Sequence, residues 1–119
     1  MKKFSEIEYV RPDMVAEQER IKEYTEALKG VRSYEELRGL FMEEKEREDI
    51  WATMAEVAQV RYTVDTRDSF YEGEVQFWNE TIPMMHLLIQ KAEKVILESP
   101  FIKQFAEEFG DFFVKNMEV

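Results

Sequence analysis

A single histidine, His86, and a run of carboxylates around Glu44 and Glu48 are the residues of this sequence best suited to bind a metal or move a proton. An imidazole titrates near neutrality and ligates metals well. Carboxylate-bridged metal bundles pair each histidine with a glutamate three residues ahead, and here position 83 is proline. His86 therefore reads as a structural or surface residue. One histidine also excludes a two-histidine zinc site within one copy of the chain. With no cysteine there are no disulfides, thiolate ligands or thiol nucleophiles.

The run Glu43-Glu44-Lys45-Glu46-Arg47-Glu48-Asp49 puts Glu44 and Glu48 four apart, on one side of a helix, where they could share a divalent ion. No oxygen cage is visible around them, and charge runs are usually solvated faces, here with Lys45 free to pair with Asp49. The inner apolar stripe from Phe41 to Trp51 nevertheless passes through Glu44 and Glu48, which predicts a core seam that opens to water midway. The sequence thus offers no catalytic and no metal-ligating residue.

The densest cluster of polar and aromatic residues is residues 60–74. It reads as a helix–helix corner. Arg61 and Asp65 are spaced to pair, Thr66 or Asp68 can cap the next helix, and Phe70 and Tyr71 can lock that helix onto its neighbour. These roles belong to structure rather than reactivity.

The elements that position these residues are helical. Asp13 after Pro12 caps a first helix with Met14, Ile21, Tyr24 and Leu28 on one face, ending at Gly30. Ser33-Tyr34-Glu35-Glu36 is a capping box, in which Ser33 takes the Glu36 N–H and the Glu36 carboxylate reaches back. The helix it opens runs to about Val64, with Leu37, Leu40, Phe41, Trp51, Met54, Ala55, Ala58 and Tyr62 as its inner stripe. A second long helix carries Phe70, Phe77, Met85, Leu88, Ala92 and Ile96 inward, with Pro83 predicting a kink near Asn79. Ser99-Pro100 ends it and opens another, with Phe101, Phe105 and Phe109 on one face, stopped by Gly110. The fold class is an all-α bundle of two long antiparallel helices, about 33–64 and 68–98, plus a shorter helix at each end. Phe112 and Phe113 follow where the bundle has no partner left. Phe101, Phe105, Phe109, Phe112 and Phe113 are therefore expected to form a docking surface.

The chain has 119 residues, 45% apolar, which fits a single helical domain over 1–119 with a real core. Sixteen Lys and Arg against 26 Asp and Glu give a net charge of −10. Such a chain offers no basic face to nucleic acid or to an anionic membrane. No membrane span or signal-type apolar run is present in the sequence, so the expected location is cytoplasmic.

The string Arg61-x-Thr63-x-Asp65-Thr66-x-Asp68-x-Phe70-Tyr71-x-x-Glu74 resembles the corner in the amino-terminal helical region of the oligoendopeptidase F family, zinc metallopeptidases related to thimet oligopeptidase. Tyr9-Val10-Arg11-Pro12-Asp13, Leu97-Glu98-Ser99-Pro100-Phe101 and Phe109-Gly110 resemble other parts of the same region, so the likeness spans about 4 to 110. Family members are several times longer. Their catalytic helix carries His-Glu-x-x-His, whose histidines hold zinc while its glutamate activates the bound water. His86 is followed by Leu87, so no catalytic residue carries over. The resemblance implies the amino-terminal part of a larger peptidase, one wall of a cavity that admits short peptides. Zinc and oligopeptide substrate then belong to the full enzyme, and the partner is its catalytic domain. The alternative is a stand-alone interaction protein that self-associates through the aromatic helix, its partner being a second copy of the chain.

Overall fold

Three helices of the chain lie side by side along their length, and two short ones close one end. The computed structural model describes residues 6–118. Among them are five helices and no strand: α1 (Met14–Lys29), α2 (Tyr34–Val64), α3 (Ser69–Leu97), α4 (Ile102–Phe109) and α5 (Asp111–Met117). The lead-in at Phe4 lies outside the described residues. Extents of 51 × 29 × 24 Å make the molecule elongated, as three laterally packed rods require. No helix among the described residues is long and apolar enough to cross a membrane.

Caps set the boundaries. Asp13 accepts from the Ala16 N–H at 3.1 Å at the start of α1. Ser33 accepts from Glu36 at 3.1 Å, and the Glu36 carboxylate reaches back to the Arg32 N–H, also at 3.1 Å. Asp68, rather than Thr66, caps α3 by accepting from the Phe70 and Tyr71 N–H groups. Pro83 sits inside an uninterrupted α3, and its missing donor faces the exposed side of the helix.

Short connections make α1 and α2 antiparallel, and α2 and α3 likewise, so α1 and α3 run the same way. The apolar interior falls into two clusters. One gathers Leu28, Leu37, Phe41, Ala92, Ile96 and Phe105 at the end closed by α4 and α5. The other gathers Met14, Ile21, Trp51, Ala58, Trp78 and Met85 toward the α2–α3 corner. The stripe of α3 holds as expected at Met85, Ala92 and Ile96 and shifts register in the first half of the helix. Trp78 and Thr81 face inward, Phe77 is only half-buried and Phe70 is exposed. Arg11 explains Phe77, because its guanidinium lies 3.9 Å from the ring centre and keeps it at the rim.

The carboxyl-terminal end departs most from expectation. Ser99 caps a turn, accepting from the Phe101 N–H at 3.1 Å, and α4 starts only at Ile102. Gly110 does not end the fold. At φ 96° and ψ 149° it occupies a region essentially confined to glycine, and it reverses the chain into α5. The supposed docking aromatics are consequently used inside the chain. Phe105 is 0% exposed, and Phe101, Phe109 and Phe113 pack around the same cluster. Phe41 receives three of these rings edge-on, with centroids at 4.9 Å (Phe105), 5.0 Å (Phe109) and 6.0 Å (Phe113). Phe112 alone of the five remains exposed, at 79%.

Candidate functional site

The corner and the amino-terminal lead-in meet in one polar network. Tyr9 donates its hydroxyl to Glu74 Oε1, and Arg11 donates to both carboxylate oxygens, through Nε at 3.0 Å to Oε1 and through Nη2 to Oε2. Trp78 Nε1 donates to the Tyr9 oxygen at 3.0 Å. Arg11 holds the Glu74 carboxyl below the usual carboxylate range, against the opposing effect of burial. Burial, then the neighbouring carboxylate, pushes the Tyr9 phenol up to about 12. Above this network Tyr71 stacks edge-on against Tyr9, with ring centroids 5.7 Å apart, and Phe70 covers the pair from outside.

Arg61 does not pair with Asp65. It donates to the Tyr71 hydroxyl at 2.8 Å and to the Ile7 carbonyl, which ties the lead-in to the corner. Asp65 instead accepts from the backbone N–H and Nε of Arg67. Thr63 turns back on its own helix, donating to the Gln59 carbonyl at 2.8 Å. Thr66 is exposed at the turn. Thus Arg61, Tyr71 and Glu74 converge with Tyr9 and Arg11, Asp68 serves as the cap of α3, and Thr63, Asp65 and Thr66 stay on the outer side of the corner.

Between the two apolar clusters lies a layer of charge. Glu44 is 3% exposed, so the expectation of a solvated face fails there. Arg20, which also holds Glu17, crosses from α1 to pair with Glu44. Lys45 takes Glu48 at 3.5 Å, not Asp49. Burial, with Glu44 alongside, pushes the Glu48 carboxyl up to about 7, even though Lys45 works in the opposite direction. Tyr24 and Glu93 close the layer from α1 and α3, and burial raises both. Arg20 Nη2, Glu44 Oε2 and the nearby Trp51 Nε1 are buried without a hydrogen-bond partner. The Glu44 and Glu48 positions were visible in the stripe, but Arg20 was missed. Only its position beside the Ile21 face of α1 pointed inward.

Among the described residues no group of three or more His, Cys, Asp or Glu side chains converges to hold a metal ion. His86 is exposed, with Gln90 Nε2 3.3 Å from its Nε2. These residues do not fit zinc.

Fold and networks together define an all-helical domain whose polar clusters tie helices to one another. The chain belongs to the peptidase M3 N-terminal domain family, whose pattern matches residues 4–119. Its fold is similar to that of a solved protein assigned as oligoendopeptidase F, with a TM-score of 0.92 and 28% identity over 99% of this chain. It is also similar to PZ peptidase A, solved with an inhibitor, with a TM-score of 0.91 and 27% identity over 98% of this chain. In each case the chain spans 21% of the solved protein's length. None of the curated proteins matches it.

Proposed function

We propose that this chain acts as one non-catalytic helical domain of a cytoplasmic zinc metallo-oligoendopeptidase, forming a wall of the cavity that receives short peptides. The observation that carries this reading is the family match over residues 4–119, joined to a fold shared with about a fifth of two peptidases. In this reading the zinc, the water it activates and the peptide-bond chemistry lie in a catalytic domain that partners this one. The present residues contribute rigidity. The Tyr9–Arg11–Glu74 network fastens the lead-in to α3 and the Arg20–Glu44 pair fastens α1 to α2, the fixed arrangement a cavity wall requires.

The test has two arms. In metal-replete buffer the chain alone is expected to cleave no internally quenched peptide and to retain no stoichiometric zinc. Added to the catalytic portion of an oligoendopeptidase made without its own amino-terminal domain, it is expected to form a one-to-one complex and to alter the lengths of peptide cleaved. Chelator-sensitive cleavage by the chain alone would defeat the non-catalytic assignment. Absence of any complex would defeat the cavity-wall assignment.

A further inference from the structure

A groove of about 650 Å³ runs between α1 and α3. Half-buried Leu88 and Val95 form its floor over the buried Ile21, and Lys22, Lys29, Lys91 and Lys94 stand along it. In a chain of net charge −10, four lysines around one groove are a local reversal of sign. Glu26 and Glu98 share the rim, leaving the lining with a surplus of two positive charges. Lys22 and Lys29 touch Glu19 and Glu26 at 3.4 and 2.9 Å in exposed pairs, which hold little energy and exchange readily. Lys91 and Lys94 engage no carboxylate among the described residues.

The apolar character continues beyond the floor. Met84 and Leu87, one turn before Leu88 and Lys91 on α3, are exposed, Leu87 at 61%. Gln18 of α1 meets the Met84 sulfur at 3.9 Å, so both helices border this extension. From Met84 to Lys94 the groove is about 15 Å long, the length of roughly ten helical residues. An apolar strip between parallel helices, edged with cations, matches the recognition of an amphipathic helix laid into a groove.

We infer that this groove docks an acidic amphipathic helix from a partner protein, its apolar stripe on Met84, Leu87, Leu88 and Val95 and its carboxylates facing the four lysines. A free phosphate would use the lysines and leave the apolar floor idle. A basic helix would be repelled. The probe contains no peptidase chemistry, so the inference is tested separately from the cavity-wall reading.

The probe is a fluorescein-labelled synthetic helix of about 18 residues, long enough to hold helical structure, with leucines at i, i+4 and i+7 and glutamates on both flanks. It is expected to bind the 119-residue chain and to shift amide resonances within 21–29 and 84–98. The double substitution Lys91→Glu/Lys94→Glu, at two exposed positions, is expected to weaken binding roughly tenfold or more, as is replacing the probe's glutamates with glutamines. The circular dichroism of the variant should match that of the parent. Failure to bind, binding indifferent to the substitutions, or shifts confined to other helices would overturn the inference. So would competition by millimolar inorganic phosphate alone, which would reduce the groove to an anion patch. A dimer of the free chain that the substitutions dissolve would assign the groove to a second copy instead.

Discussion

The Tyr9 hydroxyl and the Glu74 carboxylate meet at 2.6 Å across 65 residues of sequence. This contact joins the two stretches most reminiscent of the oligoendopeptidase F family, and it makes the lead-in part of the fold rather than a tail. Tyr9→Phe removes the donor to Glu74 and the acceptor for Trp78 Nε1, and is expected to destabilise the chain by about 1–2 kcal/mol. Glu74→Gln leaves Arg11 without its charge partner and is expected to cost about 1–3 kcal/mol. Urea unfolding at pH 7 measures both. Because the Glu74 carboxyl is held below its ordinary value, its contribution is present above the unfolded carboxylate range and fades as pH falls through the lowered value.

Glu48 behaves in the opposite sense. Its folded carboxyl, raised to about 7, holds a proton that the unfolded chain has released by then. Its linkage therefore favours the folded state at low pH, and that advantage disappears as pH rises from the ordinary carboxylate range through about 7. Glu48→Gln, which keeps the shape without the charge, should raise stability at pH 8 by about 1–3 kcal/mol and leave it almost unchanged at pH 5. Thermal melts at the two pH values decide this. Equal effects at both would show that the group is ionised throughout.

Two aromatic residues seven apart should respond very differently. Phe105→Ala empties the centre of the Phe41 cluster and is expected to cost about 3–5 kcal/mol. Phe112→Ala, on the outside, should change stability by no more than about 0.5 kcal/mol. Comparable losses for the two would mean that α5 does not fold back as described.

Gly110 is the remaining test of that reversal. No atom would crowd a Cβ there, so any penalty must come from the backbone. Gly110→Ala is expected to cost about 1–3 kcal/mol, and its nearest amides in α5 should lose exchange protection first.

Much of the framework could be read from local chemistry. The Ser33 box and the polar residues around Asp65 mark the ends of α2, and Asp68 marks the start of α3, because caps act over three or four residues. Register was harder. Phe77 looks more apolar than Thr81, yet Thr81 is inside, because Arg11 from a remote segment occupies the face of the Phe77 ring. The partner of Glu44 was hidden for the same reason, since a buried carboxylate needs a cation and Arg20 arrives from another helix. The fifth helix was missed because a glycine that stops one helix looks the same in sequence as a glycine that turns the chain into the next. The corner's residues stood out by density, but the partners of Arg61 did not, as Ile7 and Tyr71 are brought to it only by the assembled fold.

The charge layer at Glu44 has a mechanical consequence. It divides a slender rod into two greasy halves joined at a polar waist, and each half carries its own complement of large side chains. Disturbing the waist, by alkali or by loss of Arg20, should let the ends loosen independently rather than melt as one body. A wall built this way stays stiff only while its middle holds, and once that gives, its two ends come apart at different temperatures.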